Sequence, residues 1–157
     1  MSNAVVGIML GSKSDLPYAQ EAERVLGRFG VGFETVVLSA HRMPDATAEF
    51  ARGARARGLK VIIAMAGLAA HLPGVVASHT TLPVLGVPLS GGVSGGLDAL
   101  LSIVSMPGGV PVGCLALDKH GARNGALLAV QILALCDPDL ECRLEWLKQE
   151  LAAGGTL

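Results

Sequence analysis

Ser39-Ala40-His41-Arg42 sets a histidine beside an arginine just after the apolar run Phe33–Leu38. A histidine titrates near neutrality and can pass a proton in either direction. An arginine adds a planar, permanently charged fork that suits phosphate. A second histidine, His71, sits in Gly67-Leu-Ala-Ala-His-Leu-Pro-Gly74, among small residues that let backbone approach a flat ligand closely. The turn Gly11-Ser12-Lys13-Ser14-Asp15 supplies hydroxyls and leads toward a helix start, where free amides and the helix dipole favour an anion. It matches neither Gly-x-x-x-x-Gly-Lys-Ser/Thr nor Gly-x-Gly-x-x-Gly, so no triphosphate loop or dinucleotide site is implied.

Each segment also has a plainer reading. Ser14 or Asp15 would cap a helix. His41 would bond to backbone, with Arg42 in a surface ion pair. His71 would simply cap the helix after it rather than contact a carboxylate. The glycine-rich stretch Gly91–Gly96 reads as a lid or a further ligand-facing turn.

The elements that must position these segments follow from hydrophobic patterning. Val5–Leu10, Phe33–Leu38, Val61–Met65, Val84–Val87 and Val112–Leu117 are short, continuous apolar runs, the pattern of strands covered on both faces. Between them, Ala19, Ala22, Leu26 and Phe29 share one helical face behind the start signal Asp15–Pro17. Pro44 opens a helix ending near Gly58; Val75–His79, Gly96–Ser105 and Gly121–Leu135 read as further helices. The last of these is too apolar for a surface position and belongs centrally or at a subunit contact. Asp137-Pro138 starts a terminal helix with a stripe of Leu140, Leu144, Leu147 and Leu151.

Right-handed crossovers turn this alternation into a three-layer α/β/α sandwich around a five-stranded parallel sheet, flavodoxin-like, plus a C-terminal helix. In such sheets the turns after the strands, where both histidines fall, face the ligand. Residues 1–157 read as one catalytic domain, with a core of about 5–135 and a C-terminal helix of about 138–152 at a subunit contact.

Composition narrows the class. The chain is 51% hydrophobic and 16% charged, against about 25% charged in an average soluble domain. That deficit predicts surface buried between subunits. A net charge of −1 with no basic run argues against nucleic-acid binding. Thr81–Leu117 contains a single charge, Asp98, yet its prolines and glycines break it well short of a membrane span. The N-terminus lacks a signal-peptide pattern. Cys114, Cys136 and Cys142 form no Cys-x-x-Cys pair, so neither a structural zinc nor a disulfide framework is expected, and the cytoplasm is the default compartment. His79 and His120 have no metal-ligand spacing. Asp98 and Asp118 read as helix caps, and Trp146 as packing.

Five motifs occur in order: Gly11-Ser-Lys-Ser-Asp15, Ser39-Ala-His-Arg42, Ala69-Ala-His-Leu-Pro-Gly74, Met106-Pro-Gly-Gly-Val-Pro-Val-Gly113 and Asn124-Gly-Ala-Leu-Leu-Ala129. Together, from about Val5 to Leu135, they resemble the N5-carboxyaminoimidazole ribonucleotide mutase family, the class I form of phosphoribosylaminoimidazole (AIR) carboxylase. The resemblance implies a step of purine (IMP) biosynthesis. A carboxylate moves from the exocyclic nitrogen of the ribonucleotide substrate to a ring carbon, through carbon dioxide released and recaptured, without metal or cofactor, in a homo-octamer.

By the same resemblance His41 is the catalytic acid/base. Ser12, Ser14, Ser39 and Arg42 hold the phosphate side, with Ala40 alongside, and Asp15 binds substrate hydroxyls. Gly67, Ala69, Ala70, His71 and Leu72 surround the carboxylate and trapped carbon dioxide. The chain departs from the usual Gly-Ala-Gly-Gly-Ala-Ala-His of class I, having Met65 and Leu68 at two glycine positions. Class II members, which carboxylate aminoimidazole ribonucleotide directly, typically carry Ser-Ala-His-Lys and Gly-Arg-Ser-Asn, so Arg42 and His71 favour class I. A direct carboxylase and a non-catalytic nucleotide-binding module are the competing expectations.

Overall fold

The computed structural model describes residues 4–157; residues 1–3, part of the N-terminal reading above, lie outside the described residues. Five strands form one sheet: β1 (Val6–Leu10), β2 (Phe33–Val37), β3 (Val61–Gly67), β4 (Val84–Leu89) and β5 (Gly113–Cys114). Their order is β2-β1-β3-β4-β5 and every pairing is parallel. Val6 is in register with Phe33 on one side and Val61 on the other. This is the expected three-layer α/β arrangement, in flavodoxin-like strand order.

The helices are α1 (Leu16–Arg28), α2 (Pro44–Gly53), α3 (Leu72–His79), α4 (Leu97–Val104), α5 (Asp118–Ala134) and α6 (Pro138–Ala152). Strand periodicity divides the core into two. Val6, Ile8, Leu10 and Ile63 face α1 and α5, which meet through small residues such as Ala19, Ala22, Ala122 and Ala126. Met9, Ile62 and Ala64 face α2, α3 and α4 through Ala51, Val76, Ala99 and Ile103. The terminal helix packs outside α5, burying Leu140 and Leu147 while leaving Leu151 37% exposed. Buried Glu21 links α1 to α5, accepting from Arg123 at 2.7 Å and from Arg24 at 2.9 Å. The Arg123 hydrogen bond, aided by the charges of Arg123 and Arg24, holds its carboxyl below the ordinary range against the opposing effect of burial.

Several boundaries differ from the sequence reading. β5 ladders over two residues where six were expected. β2 is an edge strand with Phe33 exposed, because nothing lies beyond it in the sheet. β4 runs two residues past the expected Val84–Val87 and takes in Pro88. Gly86, of the same parity, accepts from Leu115 on the β5 side, and β5 ends before it could demand Pro88's missing amide. Helix α2 stops at Gly53, five residues early. Helix α3 starts at Leu72, three residues early, since Pro73 in a first turn removes only an orphan donor. Trp146 is 63% exposed and thus not packed in this chain. Among the described residues, no helix is long and apolar enough to cross a membrane.

Candidate active site

Strand order reverses around β1, whose connections lead to β2 on one side and, by way of β2, to β3 on the other. The turns after β1, β2, β3 and β4 therefore converge beyond the carboxyl ends of the strands. Between them lies a cavity of about 640 Å³.

The turn after β1 is built around Ser12, whose hydroxyl accepts from the Ser14 amide (3.4 Å) while Asp15 Oδ2 accepts from the Ser12 amide (2.9 Å). This reciprocal capping box closes a 3₁₀ turn over Lys13–Asp15. The capping residue is thus Ser12, not Ser14 or Asp15 as the plainer reading has it; Asp15 closes the box from its third position, and at the N-cap of α1 it makes no side-chain cap bond. Ser14 Oγ lies 3.0 Å from Ser12 Oγ and 3.1 Å from Asp15 Oδ1, with one hydrogen to share between them. Burial raises the Asp15 carboxyl above the usual carboxylate range, against the lowering effect of the bonds from Ser14 and Ser12. A carboxyl here repels phosphate and suits a ligand hydroxyl.

The turn after β2 carries Ser39, Ala40, His41 and Arg42 into the same cavity. Arg42 spans two turns. Its Nη2 donates to the Gly11 carbonyl (3.3 Å), and its Nε and amide donate to Ser39 Oγ (3.4 and 3.3 Å). Among the described residues it has no acidic partner, contrary to the plainer reading, and it is the one lysine or arginine lining the cavity. Ser39, accepting twice, keeps its own hydrogen for a ligand.

β3 extends to Gly67 and delivers Leu68, Ala69, His71 and Leu72 to the wall. His71 occupies the N-cap of α3 but makes no side-chain cap bond. Its Nδ1 instead lies 2.8 Å from His41 Nε2, with the rings edge to face at 72°. One nitrogen donates and the other accepts, so the tautomers of the two rings are coupled. Leu68, where the class I pattern has glycine, holds a φ of +56° and is 61% exposed on the cavity wall.

Of the residues singled out from sequence, Ser12, Ser14, Asp15, Ser39, Ala40, His41, Arg42, Gly67, Ala69, His71 and Leu72 line the cavity. Ala70 does not: it is 1% exposed and belongs to the core beneath the loop. Gly11, in the anion turn, and Ala66, which opens the His71 loop, also line the wall though no contact was expected of either; Leu89 and Ser90 were missed, and Gly91 lies on the wall as the ligand-facing reading of Gly91–Gly96 has it. The available signal was position, since Leu89–Gly91 directly follows a strand. Asp118, read as a cap, reaches across to Ser90 instead, accepting from its amide (2.7 Å) and its hydroxyl (2.6 Å). Asp98 likewise turns back to the Val93 amide (3.0 Å).

The chain is similar to known proteins over nearly its whole length. The family model described as AIR carboxylase matches residues 5–153. A protein of Vibrio vulnificus named N5-carboxyaminoimidazole ribonucleotide mutase is 54% identical over 145 residues, covering 92% of this chain and 90% of its own. Proteins of the same name from Pyrococcus horikoshii (89% of this chain, 78% of theirs) and Bacillus subtilis (90% and 87%) are each 52% identical. The crystal structure of Treponema denticola PurE superposes with a TM-score of 0.86 at 25% identity, over 95% of this chain and 92% of that one.

Proposed function

Because this chain belongs to the AIR carboxylase family, we propose that it is an N5-carboxyaminoimidazole ribonucleotide mutase, a purine-biosynthesis isomerase. The carrying observation is the 2.8 Å bond joining His41 to His71 inside a cavity that also holds the Ser12, Ser39 and Arg42 donors, with Ser14 beside them. A binding module would need the donors but no paired imidazoles. Relatives near 50% identity share the mutase name, which supports this reading over direct carboxylation.

In the mechanism, Arg42 and the serines seat the substrate phosphate and Asp15 engages ribose hydroxyls. His41 donates a proton to the exocyclic nitrogen as its bond to the carboxylate carbon breaks, releasing carbon dioxide. The small residues around His71 hold that molecule beside the ring, so recapture is effectively intramolecular and worth several kcal/mol. The ring carbon then attacks carbon dioxide. His41, now a base, takes the proton from that carbon, which restores both the amine and the starting charge on the imidazole. His71 fixes which His41 nitrogen faces the substrate.

The exposed Leu97, Leu101, Val104, Leu135 and Trp146 support assembly with further copies. We take the assembly as the homo-octamer the resemblance implies, with α6 at a contact and each chain one catalytic domain. A cytoplasmic setting suits its free cysteines.

The test offers purified protein the N-carboxylated nucleotide or, separately, the uncarboxylated one with carbon dioxide. Conversion of the first should dominate. Preference for the second would reassign the chain as a direct carboxylase, and conversion of neither would leave a binding module. Light scattering checks the assembly: a monomer at assay concentration would contradict it.

A further inference from the structure

One wall of the cavity is held by a residue that does not line it. The chain from Ser90 to Gly96 passes through Gly91 (φ +132°), Ser94 (+52°), Gly95 (+68°) and Gly96 (+100°), a path that glycine-rich backbone has little reason to keep unaided. Asp98 holds its middle through the Val93 amide. Asp118 holds its start, where Leu89, Ser90 and Gly91 face the cavity.

Asp118 is unusual in its own right. It opens α5 with a φ of +54°, a left-handed conformation that Asp adopts more readily than most residues with a Cβ but less readily than glycine. Such backbone persists only where its surroundings over-determine it. Here the carboxylate leaves its own helix uncapped and accepts two short bonds from Ser90, 28 residues earlier in the chain. The Ser90 hydroxyl has one hydrogen, and Asp118 Oδ2 takes it. What Ser90 Oγ can offer a ligand is lone pairs alone.

We propose that Asp118 is a positioning residue for the Leu89–Gly91 wall, which fixes Ser90 so that its hydroxyl meets the ligand only as an acceptor, for an amino or hydroxyl donor of the ribonucleotide. The kinetic half of this inference rests on the mutase reading; the clamp itself does not.

Three variants test it. Asp118→Gly removes the clamp and relieves the left-handed backbone, whereas Asp118→Ala removes the clamp and keeps the strain. Ser90→Ala keeps the amide bond and deletes the acceptor. Hydrogen exchange in the segment Leu89–Val93 should quicken at least tenfold in both Asp118 variants and stay slow in Ser90→Ala. KM should rise at least fivefold in all three with kcat within twofold, while Asp118→Ala melts about 3 °C below Asp118→Gly. A KM that follows the melting temperature, or unchanged exchange in Asp118→Gly, overturns the proposal. If the wild-type chain converts no nucleotide, the mutase reading fails, and the exchange measurement still decides the clamp.

Discussion

Replacing His71 with alanine deletes one ring of the 2.8 Å pair and leaves His41 Nε2 without its partner. The bond exists only while one facing nitrogen lacks a proton, so it is strongest when His41 carries the charge it needs as an acid. A hydrogen bond to a charged group is worth about 1.5–3 kcal/mol net. At about 1.4 kcal/mol per decade of rate, that range spans roughly 10- to 150-fold. Both rings are exposed to the open cavity, and competition from water puts the expectation near the lower end, about tenfold in kcat. His41→Asn removes the proton-transfer group itself, worth roughly 10²–10⁴. The double variant should be no slower than His41→Asn alone, since the bond has nothing left to orient. Single-turnover rates of the four proteins, with binding measured separately, complete the cycle. If His71→Ala is as damaging as His41→Asn, or if the two losses multiply, His71 acts on the substrate independently and the orienting role is wrong.

Arg42→Ala should weaken substrate binding by roughly 10- to 150-fold, the range for a charged hydrogen bond, with a much smaller effect on turnover; unchanged affinity in a binding titration would remove it from the phosphate seat. At Leu68, glycine should be more stable than alanine by about 0.5–1 kcal/mol, because relief of the left-handed backbone (about 1–2 kcal/mol) exceeds glycine's entropic penalty (about 0.5–1 kcal/mol). Chemical denaturation decides, and an alanine variant at or above the glycine variant refutes the strain. Glu21 has a lowered folded-state pKa, so its stabilisation is complete above the unfolded value of about 4.3 and is lost as pH falls through the folded one. Urea midpoints below about pH 4 should therefore fall more steeply for wild type than for Glu21→Gln, and parallel slopes would show that the Arg123 pairing contributes nothing.

Local sequence is enough to find the strands and most helices, because burial on both faces writes itself as uninterrupted apolar runs. It also places His41 and His71 in strand-end turns, and the ordered motifs mark Ser12, Ser14, Asp15, Ser39 and Arg42. It fails where an element's role depends on its neighbour. Phe33–Val37 is grouped with the fully covered runs, yet it carries Glu34 and Thr35 and lies at the edge. Val112–Leu117 reads as a full strand, yet it ladders for two residues. Ala70 belongs to the right motif, but its side chain turns into the core.

The residue types for proton transfer and anion binding, and the parallel α/β order that gathers them at one end, were thus determined by the chain itself. Tertiary structure alone decided their pairing. His41 and His71 stand 30 residues apart and meet because β1 separates the strands that carry them by a single position in the sheet. Asp118 finds Ser90 because α5 starts beside the end of β4. Spacing along a sequence measures contour, whereas a hydrogen bond needs a few ångströms between atoms, and only the folded sheet converts one into the other.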